Sequence, residues 1–283
     1  AGDREVRVYQ VDATGRRVLM IHDLDPDDVL LEQGAPIREA LLKNAENKKA
    51  RQWQFQRSTD IELKPLEWLD NAVPVGSLVV NYGQSGDGKS VETIHRCAVL
   101  SDKGHTVLYV AGEHRSGAVR RLRAESVYHG LNIENVFVSP SATSLPDEES
   151  TVIEAVHEVQ EVTGGVDLLV LDTLQRNMSG DEDKTADMSA FVDSCDRIRN
   201  AIHEDTSILV IHHTGHDKSR ARGNKTLFNS SDVFWRLEKG DDGVVRVTCE
   251  KSKEGILDPF AFRIVGYDMA IGDKEYSIPV CVP

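Results

Sequence analysis

The chain has 283 residues, of which 40% are hydrophobic, and a formal net charge of −14. This length accommodates one large domain with a full hydrophobic core and a small appendage. So acidic a chain cannot coat nucleic acid with its whole surface, because affinity for phosphates comes from clustered Lys and Arg; any such contact must use a local basic cluster.

The sequence shows no run of about 18 apolar residues and no basic-then-apolar leader, so we expect a protein that neither spans a membrane nor is secreted. Its four cysteines are scattered without C-x-x-C spacing, which argues against a zinc ribbon or a disulfide framework. Such cysteines suit a reducing cytosol, and we expect a cytoplasmic protein.

The sequence pattern predicts a small N-terminal appendage with both β and α structure at residues 1–62. The stretch 5–21 alternates apolar and polar residues around an Asp-Ala-Thr-Gly turn, a pattern typical of a hairpin. Residues 37–55 have helical spacing and many good helix formers. Pro65 and Pro74 punctuate the segment that leads into the main domain, which we place at residues 63–283.

From residue 76 onward, short apolar runs alternate mostly with helix-length segments. The runs are SLVVNY, TVLYVAG, NVFVS, DLLVLDT and SILVIHH. Apolar strands that alternate with helices indicate a mainly parallel sheet covered on both faces, so the predicted fold class is α/β. The tail changes to alternating patterns at DVFWRLE, GVVRVTCEK and FAFRIV, which predict antiparallel strands at one edge of the sheet.

The segment GQSGDGKS fits the phosphate-loop pattern G-x-x-x-x-G-K-[ST], with an apolar strand before it and helical spacing after it. Its glycines let backbone N–H groups face a phosphate at a helix N-terminus. Lys89 would contact the β- and γ-phosphates of ATP, and Ser90 would hold Mg²⁺. The alternative is a simple glycine turn. The predicted nucleotide-binding residues are Gly83, Gln84, Ser85, Gly86, Asp87, Gly88, Lys89, Ser90 and Val91.

Two carboxylates follow other apolar runs. Asp172 closes VDLLVLD, at the strand end where open α/β sheets bind ligands, and would complete the Mg²⁺ site with Ser90. It could instead cap a helix. Glu113 follows TVLYVAG and is a candidate general base for the attacking water, with a solvated loop acid as the alternative.

A histidine closes the last of these runs. His213 could hydrogen-bond the γ-phosphate and act as a switch between the nucleotide and the loop that follows. A zinc site at His212, His213 and His216 is unfavourable, because adjacent histidines on a strand point in opposite directions and no Cys lies nearby.

The densest basic loop follows that histidine directly. TGHDKSRARGNK, residues 214–225, carries four basic residues opposed only by Asp217, and could grip a phosphate backbone without reading bases. A solvated flexible loop is the alternative. The predicted DNA-binding residues are Lys218, Arg220, Arg222 and Lys225. A second basic cluster, HRSGAVRRLR, could serve the nucleotide, DNA or a neighbouring subunit.

These segments resemble the RecA-like NTPase superfamily over roughly residues 65–265. The resemblance rests on PLEWLDNAVPVGSLVVNYGQSGDGKS, on LYVAGE with RRLR, on LLVLDTLQRNMSGDEDKTADMSAF and on LVIHHTGHDKSRARG. Within the superfamily, HHTG followed by RARG is similar to the AAA-25 or plasmid RepA-like group of hexameric replicative helicases of plasmids and phages. NKTLFNSSDVFW departs from the small residues and glycine usual after RARG, and the first 60 residues resemble no primase or DnaB-type domain.

The resemblance implies a homo-oligomeric ring, expected to be hexameric, with ATP held between subunits. In ring helicases of this superfamily, a positive finger from the neighbouring subunit lies on a late β-hairpin with a K-x-[RK] pattern. VTCEKSKEG offers Lys251 and Lys253 for that catalytic role, with an exposed hairpin tip as the alternative. Lys matches bidentate phosphate contact less well than Arg.

The leading hypothesis is an ATPase of helicase type. ATP hydrolysis would move loops at residues 176–188 and 214–226 along single-stranded DNA, with the second loop supplying most of the attraction because the first is acidic. A RecA-like recombinase or annealing protein that forms filaments is the alternative. A regulatory ATP switch that binds protein partners is a third possibility, favoured by the acidic surface.

Overall fold

A computed structural model describes residues 9–11, 17–19, 57–61, 65–203, 205–215 and 221–283. The chain divides into two compact units, Ala1–Lys64 and Pro65–Pro283. In the first unit, strands β1 (Tyr9–Val11) and β2 (Arg17–Leu19) pair antiparallel, as the alternation of residues 5–21 predicts. A 3-10 helix spans Ser58–Asp60, and the helix predicted at 37–55 lies outside the described residues.

The second unit alternates strands and helices as far as residue 230 and ends in strands. Its strands are β3 (Trp68–Asp70), β4 (Val73–Pro74), β5 (Leu78–Gly83), β6 (Val107–Ala111), β7 (Val136–Val138), β8 (Leu168–Asp172), β9 (Ser207–His213), β10 (Val233–Lys239), β11 (Val244–Ser252), β12 (Phe260–Ile271) and β13 (Lys274–Val282). Its helices are α1 (Lys89–Asp102), α2 (Arg115–His129), α3 (Glu149–Thr163), α4 (Leu174–Asn177), α5 (Thr185–Ile202) and α6 (Thr226–Ser230). None of the described helices is long and apolar enough to cross a membrane.

Within the described residues, nine strands form one sheet in the order β13-β12-β11-β10-β5-β9-β8-β6-β7. The pairs from β10 to β7 are all parallel, and the pairs from β10 to β13 are all antiparallel. This arrangement confirms the predicted α/β class with a mainly parallel sheet and antiparallel strands near the C-terminus. All five apolar runs identified in the sequence are parallel strands.

The change of strand direction comes one strand later than expected. DVFWRLE, which forms β10, is antiparallel to β11 but parallel to β5 on its other side. The connection through α6 brings the chain back to the start of β5, where the Asp232 backbone N–H donates to the Leu78 carbonyl at 2.8 Å. Alternation of residue types reports which side chains are buried, and it carries no information about strand direction.

Helices cover both faces of the parallel strands. Val79 of β5 packs in a core cluster with α1 and α2, whereas its neighbour Val80 packs in a second cluster with α3 and α5. The same alternation holds along β6, β8 and β9, as expected for side chains that point to opposite faces in turn. Because both faces are apolar, polar side chains for chemistry can gather only where the strands end.

A buried ion-pair cluster joins α1 to the β3–β4 hairpin. The Arg96 guanidinium on α1 donates to the carboxylates of Glu92 and Asp70, and its side chain is 7% exposed. The Asn81 amide also donates to Glu92, at 3.0 Å, which ties β5 to the same cluster. The helix that begins at the phosphate loop is therefore held in place by compensated buried charges.

We expect Arg96→Ala to lower the free energy of unfolding by about 3–5 kcal/mol, because it leaves two carboxylates without their cation in the interior. Chemical denaturation followed by circular dichroism measures this. Arg197→Ala is the matched control: Arg197 pairs with Glu149 at 2.8 Å, and its side chain is 54% exposed. Losing that exposed pair should cost at most about 1 kcal/mol, and equal losses in the two variants would contradict the assigned role of Arg96.

Candidate active site

Four neighbouring parallel strands end at the same edge of the sheet. In register, Gly83 at the end of β5 pairs with His213 of β9, and Asp172 at the end of β8 pairs with Ala111 at the end of β6. Glu113 follows two residues after Ala111. The strand order therefore places His213 between the phosphate loop and Asp172, with Glu113 beyond Asp172.

Alternation along the strands sets the face to which each polar residue belongs. Leu209 and Ile211 on β9 face the core beneath α1 and α2, so His213 continues the row on that face. Val170 on β8 does the same for Asp172. Both side chains thus lie on the side of the sheet from which α1 begins at Lys89, and His212 lies on the other side.

The phosphate loop needs glycine at two positions for different reasons. A Cβ atom at Gly83 would lie 2.5 Å from the backbone oxygen of Leu237 on the neighbouring strand β10. Gly88 has φ of +83°, and a Cβ there would lie 2.7 Å from the Cδ1 atom of Ile264. The loop is therefore pressed against the backbone of β10 at Gly83, which leaves no room for a side chain, while the positive φ of Gly88 favours glycine there.

Asp87 braces this loop from within. Its Oδ2 atom accepts a hydrogen bond from the backbone N–H of Gln84 at 2.7 Å, and its own N–H donates to the Gln84 carbonyl at 3.2 Å. The sequence placed Asp87 among the nucleotide-binding residues. Its carboxylate is turned onto the loop backbone, so the side chain shapes the loop.

Lys89 lies folded against the phosphate loop. Its Nζ atom donates to the carbonyls of Gly83 at 2.9 Å and Gln84 at 2.7 Å, and the residue is buried. Burial lowers the pKa of Lys89 to about 8, although nearby carboxylates act in the opposite direction. Those carboxylates, in decreasing order of effect, are Asp87, Asp172 and Glu113. The ammonium group is thus poised at the loop, with carbonyl contacts that phosphate oxygens can replace.

Ser90 and Asp172 bring two oxygen ligands together. Burial raises the pKa of Asp172, while hydrogen bonds from the hydroxyls of Tyr109 and Ser90 act against that rise. The Tyr109 hydroxyl donates to Asp172 Oδ2. A serine hydroxyl and a carboxylate are the hard ligands that Mg²⁺ prefers, so the residues present fit the predicted ion.

Glu113 is exposed beyond the end of β6. The backbone N–H of Gly112 donates to the Asp172 carbonyl at 2.6 Å, which fixes this turn against β8. Burial lowers the pKa values of Lys89 and His213, and the negative charge of Glu113 acts against both shifts. A solvent-facing carboxylate beside the phosphate loop is available to a water molecule.

Two contributors to this site escaped prediction from the sequence. Tyr109 lies within an apolar run, where a tyrosine resembles a core residue, and only its contact with Asp172 reveals its role. Arg121 on α2 belongs to the basic cluster whose purpose the sequence left open. Burial raises the pKa values of Asp172 and Tyr109, and the positive charge of Arg121 acts against both rises.

The end of β9 is joined directly to the basic loop. The backbone N–H of Arg222 donates to the His213 carbonyl at 2.9 Å, and Thr214 forms an antiparallel bridge with Ala221. On the other face, His212 Nε2 donates to the Arg222 carbonyl at 2.6 Å. Burial lowers the pKa of His212 to about 4, so its ring is neutral at pH 7. Lys218 and Arg220 lie outside the described residues, as does His216.

The basic loop is also paired with the acidic loop. Arg222 Nε lies 2.5 Å from Oε1 of Glu182, whose side chain is 8% exposed. The backbone N–H of Asn224 donates to the Glu182 carbonyl at 3.0 Å. Neither carboxylate oxygen of Glu182 has a well-aligned hydrogen-bond donor among the described residues, and burial is the main cause of its raised pKa. Residues 176–188 and 214–226, which were predicted as two DNA-binding loops, are therefore linked by an ion pair, although parts of both segments belong to helices α4, α5 and α6. Lys225 is exposed.

The two candidate finger lysines lie at the opposite end of the sheet. Lys251 Nζ donates to three carbonyls around the end of α6, those of Phe228, Asn229 and Ser231, at 2.6–2.7 Å. Lys253 Nζ pairs with Asp232 Oδ1 at 2.8 Å, and its side chain is half exposed. Asp232 also accepts from the backbone N–H of Leu78 at the start of β5, about 20 Å from the phosphate loop. Neither lysine can reach its own chain's phosphate loop.

Comparison with protein families gives one match that covers more than half of the chain. The model of an AAA domain family, AAA-25, matches residues 44–219. A solved structure of an ATPase domain from another protein aligns with a TM-score of 0.54 and 12% sequence identity, covering 81% of this chain and 95% of that chain. At that identity, the likeness to the solved ATPase domain concerns the fold alone.

Two curated relatives match this chain over only part of their own length. The DNA repair protein RadA of Mycobacterium tuberculosis is 25% identical over 196 residues, which cover 67% of this chain and 38% of RadA. Protein RecA of Synechococcus sp. (strain CC9605) is 30% identical over 106 residues, which cover 38% of this chain and 25% of RecA. The matched parts thus span about two fifths of RadA and a quarter of RecA.

We expect the affinity for ATP to fall as the pH rises through 8, approaching about tenfold for each further pH unit, because Lys89 then loses the charge that attracts phosphate. Titration with a fluorescent ATP analogue between about pH 7 and pH 9.5 measures this. In Lys89→Arg the guanidinium stays charged throughout, so its affinity should be independent of pH in this range. An equal pH dependence in the unmodified protein and in this variant would exclude Lys89 as the titrating group.

Proposed function

The chain belongs to the AAA-25 family of AAA domains and is a RecA-like P-loop NTPase, and on that premise we propose that it is an ATP-driven single-stranded-DNA motor of replicative-helicase type. One observation carries the proposal. His213 ends a strand beside the phosphate loop, and its carbonyl accepts the backbone N–H of Arg222 in the basic loop. The nucleotide site and the basic loop are thus adjacent parts of one strand and its extension.

We assign the roles in hydrolysis from the positions of the side chains. Lys89 exchanges its two loop carbonyls for β- and γ-phosphate oxygens, and Glu113 accepts a proton from the attacking water. Mg²⁺, held by Ser90 and Asp172, would neutralise charge on the β- and γ-phosphates. Tyr109 orients the Asp172 carboxylate by donating its hydroxyl proton.

The positive finger is assigned to Lys253 of a neighbouring subunit. Lys251 already donates to three carbonyls, and burial lowers its pKa, so it serves mainly to hold the end of α6. Lys253 is half exposed and has one carboxylate partner, which a phosphate can replace. A finger so far from its own phosphate loop must act in trans, which supports a homo-oligomer such as a hexameric ring with ATP at its interfaces.

Single-stranded DNA is assigned to the basic loop and its surroundings. A cavity of about 460 Å³ lies beneath the loop and is lined by polar and aromatic side chains, including Arg222, Asn224, Lys225 and Phe228. Cationic groups beside an aromatic ring suit a phosphate backbone with stacked bases. The predicted contacts of Lys218 and Arg220 belong to the same proposal.

ATPase assays with and without single-stranded DNA test the proposed function. We expect DNA to stimulate turnover, tailed duplexes to be unwound, and the oligomer to persist with a non-hydrolysable ATP analogue. No stimulation together with a persistent monomer would contradict the motor and would favour the third possibility, a regulatory switch.

A filament-forming recombinase is the second candidate, favoured by the sequence similarity to RadA and RecA. It would also be stimulated by single-stranded DNA, but it would not unwind a tailed duplex. Electron microscopy of the DNA complex separates the two candidates, since a motor forms closed rings and a recombinase forms open helical filaments.

We expect Glu113→Gln to lower kcat by at least about 100-fold, because the amide cannot accept the proton of the attacking water. ATP affinity should stay equal or become tighter, since the substitution removes a negative charge near the phosphates. Steady-state kinetics measures kcat, and equilibrium binding measures the affinity for ATP. Glu161→Gln, at an exposed acid on α3, is the control and should leave both unchanged. Normal turnover in Glu113→Gln would exclude this residue as the base.

We expect Glu182→Gln to raise the affinity for single-stranded DNA, because the buried carboxylate competes with phosphate for Arg222. The slope of log affinity against log salt concentration should also become steeper by up to about one unit. The reason is that Arg222 becomes available to a phosphate and releases one more counterion. Fluorescence anisotropy over a series of salt concentrations measures both effects. Asp183→Asn makes the same change of charge at an exposed neighbouring site. Equal gains in the two variants would show a general charge effect and contradict the specific competition.

A further inference from the structure

A second cluster of ionisable side chains lies away from the active site, between α1, α2 and β13. His95 Nδ1 on α1 lies 2.9 Å from Glu125 Oε2 on α2, and His129 Nε2, one turn later on α2, lies 3.3 Å from the same oxygen. The backbone of Cys281 on β13 closes the group, with its carbonyl 2.7 Å from His129 Nε2.

The charge of Glu125 requires a cation. This carboxylate is 0% exposed, and within the described residues its ion-pair partners are the two histidines, with no Lys or Arg among them. A carboxylate buried without a positive partner is strongly unfavourable. A metal ion bound to both imidazoles would be such a positive partner.

The geometry suits a metal ion of the zinc class. The three side-chain ligand atoms all lie within 4.8 Å of one another. Ligands at about 2.0–2.1 Å from a tetrahedral zinc ion are separated from each other by about 3.3 Å, close to the 2.9 Å and 3.3 Å seen here. Glu125 and His129 lie four residues apart on the same face of α2, and His95 faces them from α1, so one ion can contact all three side chains.

The surroundings of the cluster also suit an ion. The backbone N–H of Cys281 donates to Glu125 Oε1 at 2.6 Å, which orients the carboxylate so that Oε2 faces the histidines. His95 and His129 are 16% and 20% exposed, so the ion has a path from solvent and a water can complete its coordination. Two imidazoles and one carboxylate favour Zn²⁺ over Mg²⁺, which prefers oxygen ligands.

We propose that His95, Glu125 and His129 form a structural binding site for a divalent transition-metal ion, Zn²⁺ by its ligand set. Binding displaces the proton on each metal-facing nitrogen, and the Cys281 carbonyl becomes available as a further oxygen ligand. The ion would tie together α1, which begins at the phosphate loop, α2, which follows Glu113, and the C-terminal strand. The site is separate from the ATP site, and its test does not depend on hydrolysis.

The test uses the full chain without a histidine tag, stripped with a chelator and kept in excess Mg²⁺ without nucleotide, so that Ser90 and Asp172 do not take the added ion. We expect one equivalent of Zn²⁺ to remain after desalting. The midpoint of thermal unfolding should rise by about 5–10 °C when free Zn²⁺ is a hundredfold above its Kd. Co²⁺ in place of Zn²⁺ should give the visible absorption of a tetrahedral site without thiolate ligands.

Substitutions locate the ion. His95→Gln and His129→Gln should each abolish retention and the thermal shift, whereas His105→Gln should keep both, since His105 lies at the surface beside Asp167. The Co²⁺ spectrum is read on the unmodified protein and stays decisive if a variant fails to fold. Loss of Zn²⁺ on desalting, or retention that both cluster variants preserve, would overturn the proposal.

Discussion

A parallel sheet covered on both faces leaves little room for polar chemistry except at the ends of its strands. Here β5, β9, β8 and β6 lie side by side, so the residues that follow them converge whatever their separation in the sequence. The alternation of side chains then decides the face, and it places Asp172 and His213 on the side where α1 begins. The arrangement of the phosphate loop, the candidate magnesium ligands and the candidate base depends on this single constraint.

Two adjacent histidines on β9 connect the two sides of the sheet. His213 faces the nucleotide side, while His212 faces the opposite core and donates to the carbonyl of Arg222. The neutral, buried ring of His212 holds the basic loop at a fixed distance from the strand. A shift of β9 by contact with a phosphate would therefore reach Arg222 through two hydrogen bonds, and would act on its ion pair with Glu182.

Strands β5 to β12 and the phosphate loop could be predicted from the sequence, because apolar runs with polar ends reflect local rules of burial. Strands β3, β4 and β13 were not predicted. The direction of β10 could not be predicted, since it depends on where α6 returns the chain. The role of Asp87 in bracing the loop and the pairing of Arg222 with Glu182 depend on contacts between side chain and backbone or between distant loops. Tyr109, Arg121 and the His95–Glu125–His129 cluster also escaped prediction, because each brings together residues from separate elements.

Coupling between nucleotide and DNA through His213 is the most direct quantity to measure. The affinity for single-stranded DNA should be compared with ADP and with a non-hydrolysable ATP analogue, in the unmodified protein and in His213→Ala. We expect the two nucleotides to give DNA affinities that differ by about 5- to 150-fold in the unmodified protein. In His213→Ala they should be nearly equal while the analogue still binds. The same ratio in both proteins would contradict a link between the two sites through the end of β9.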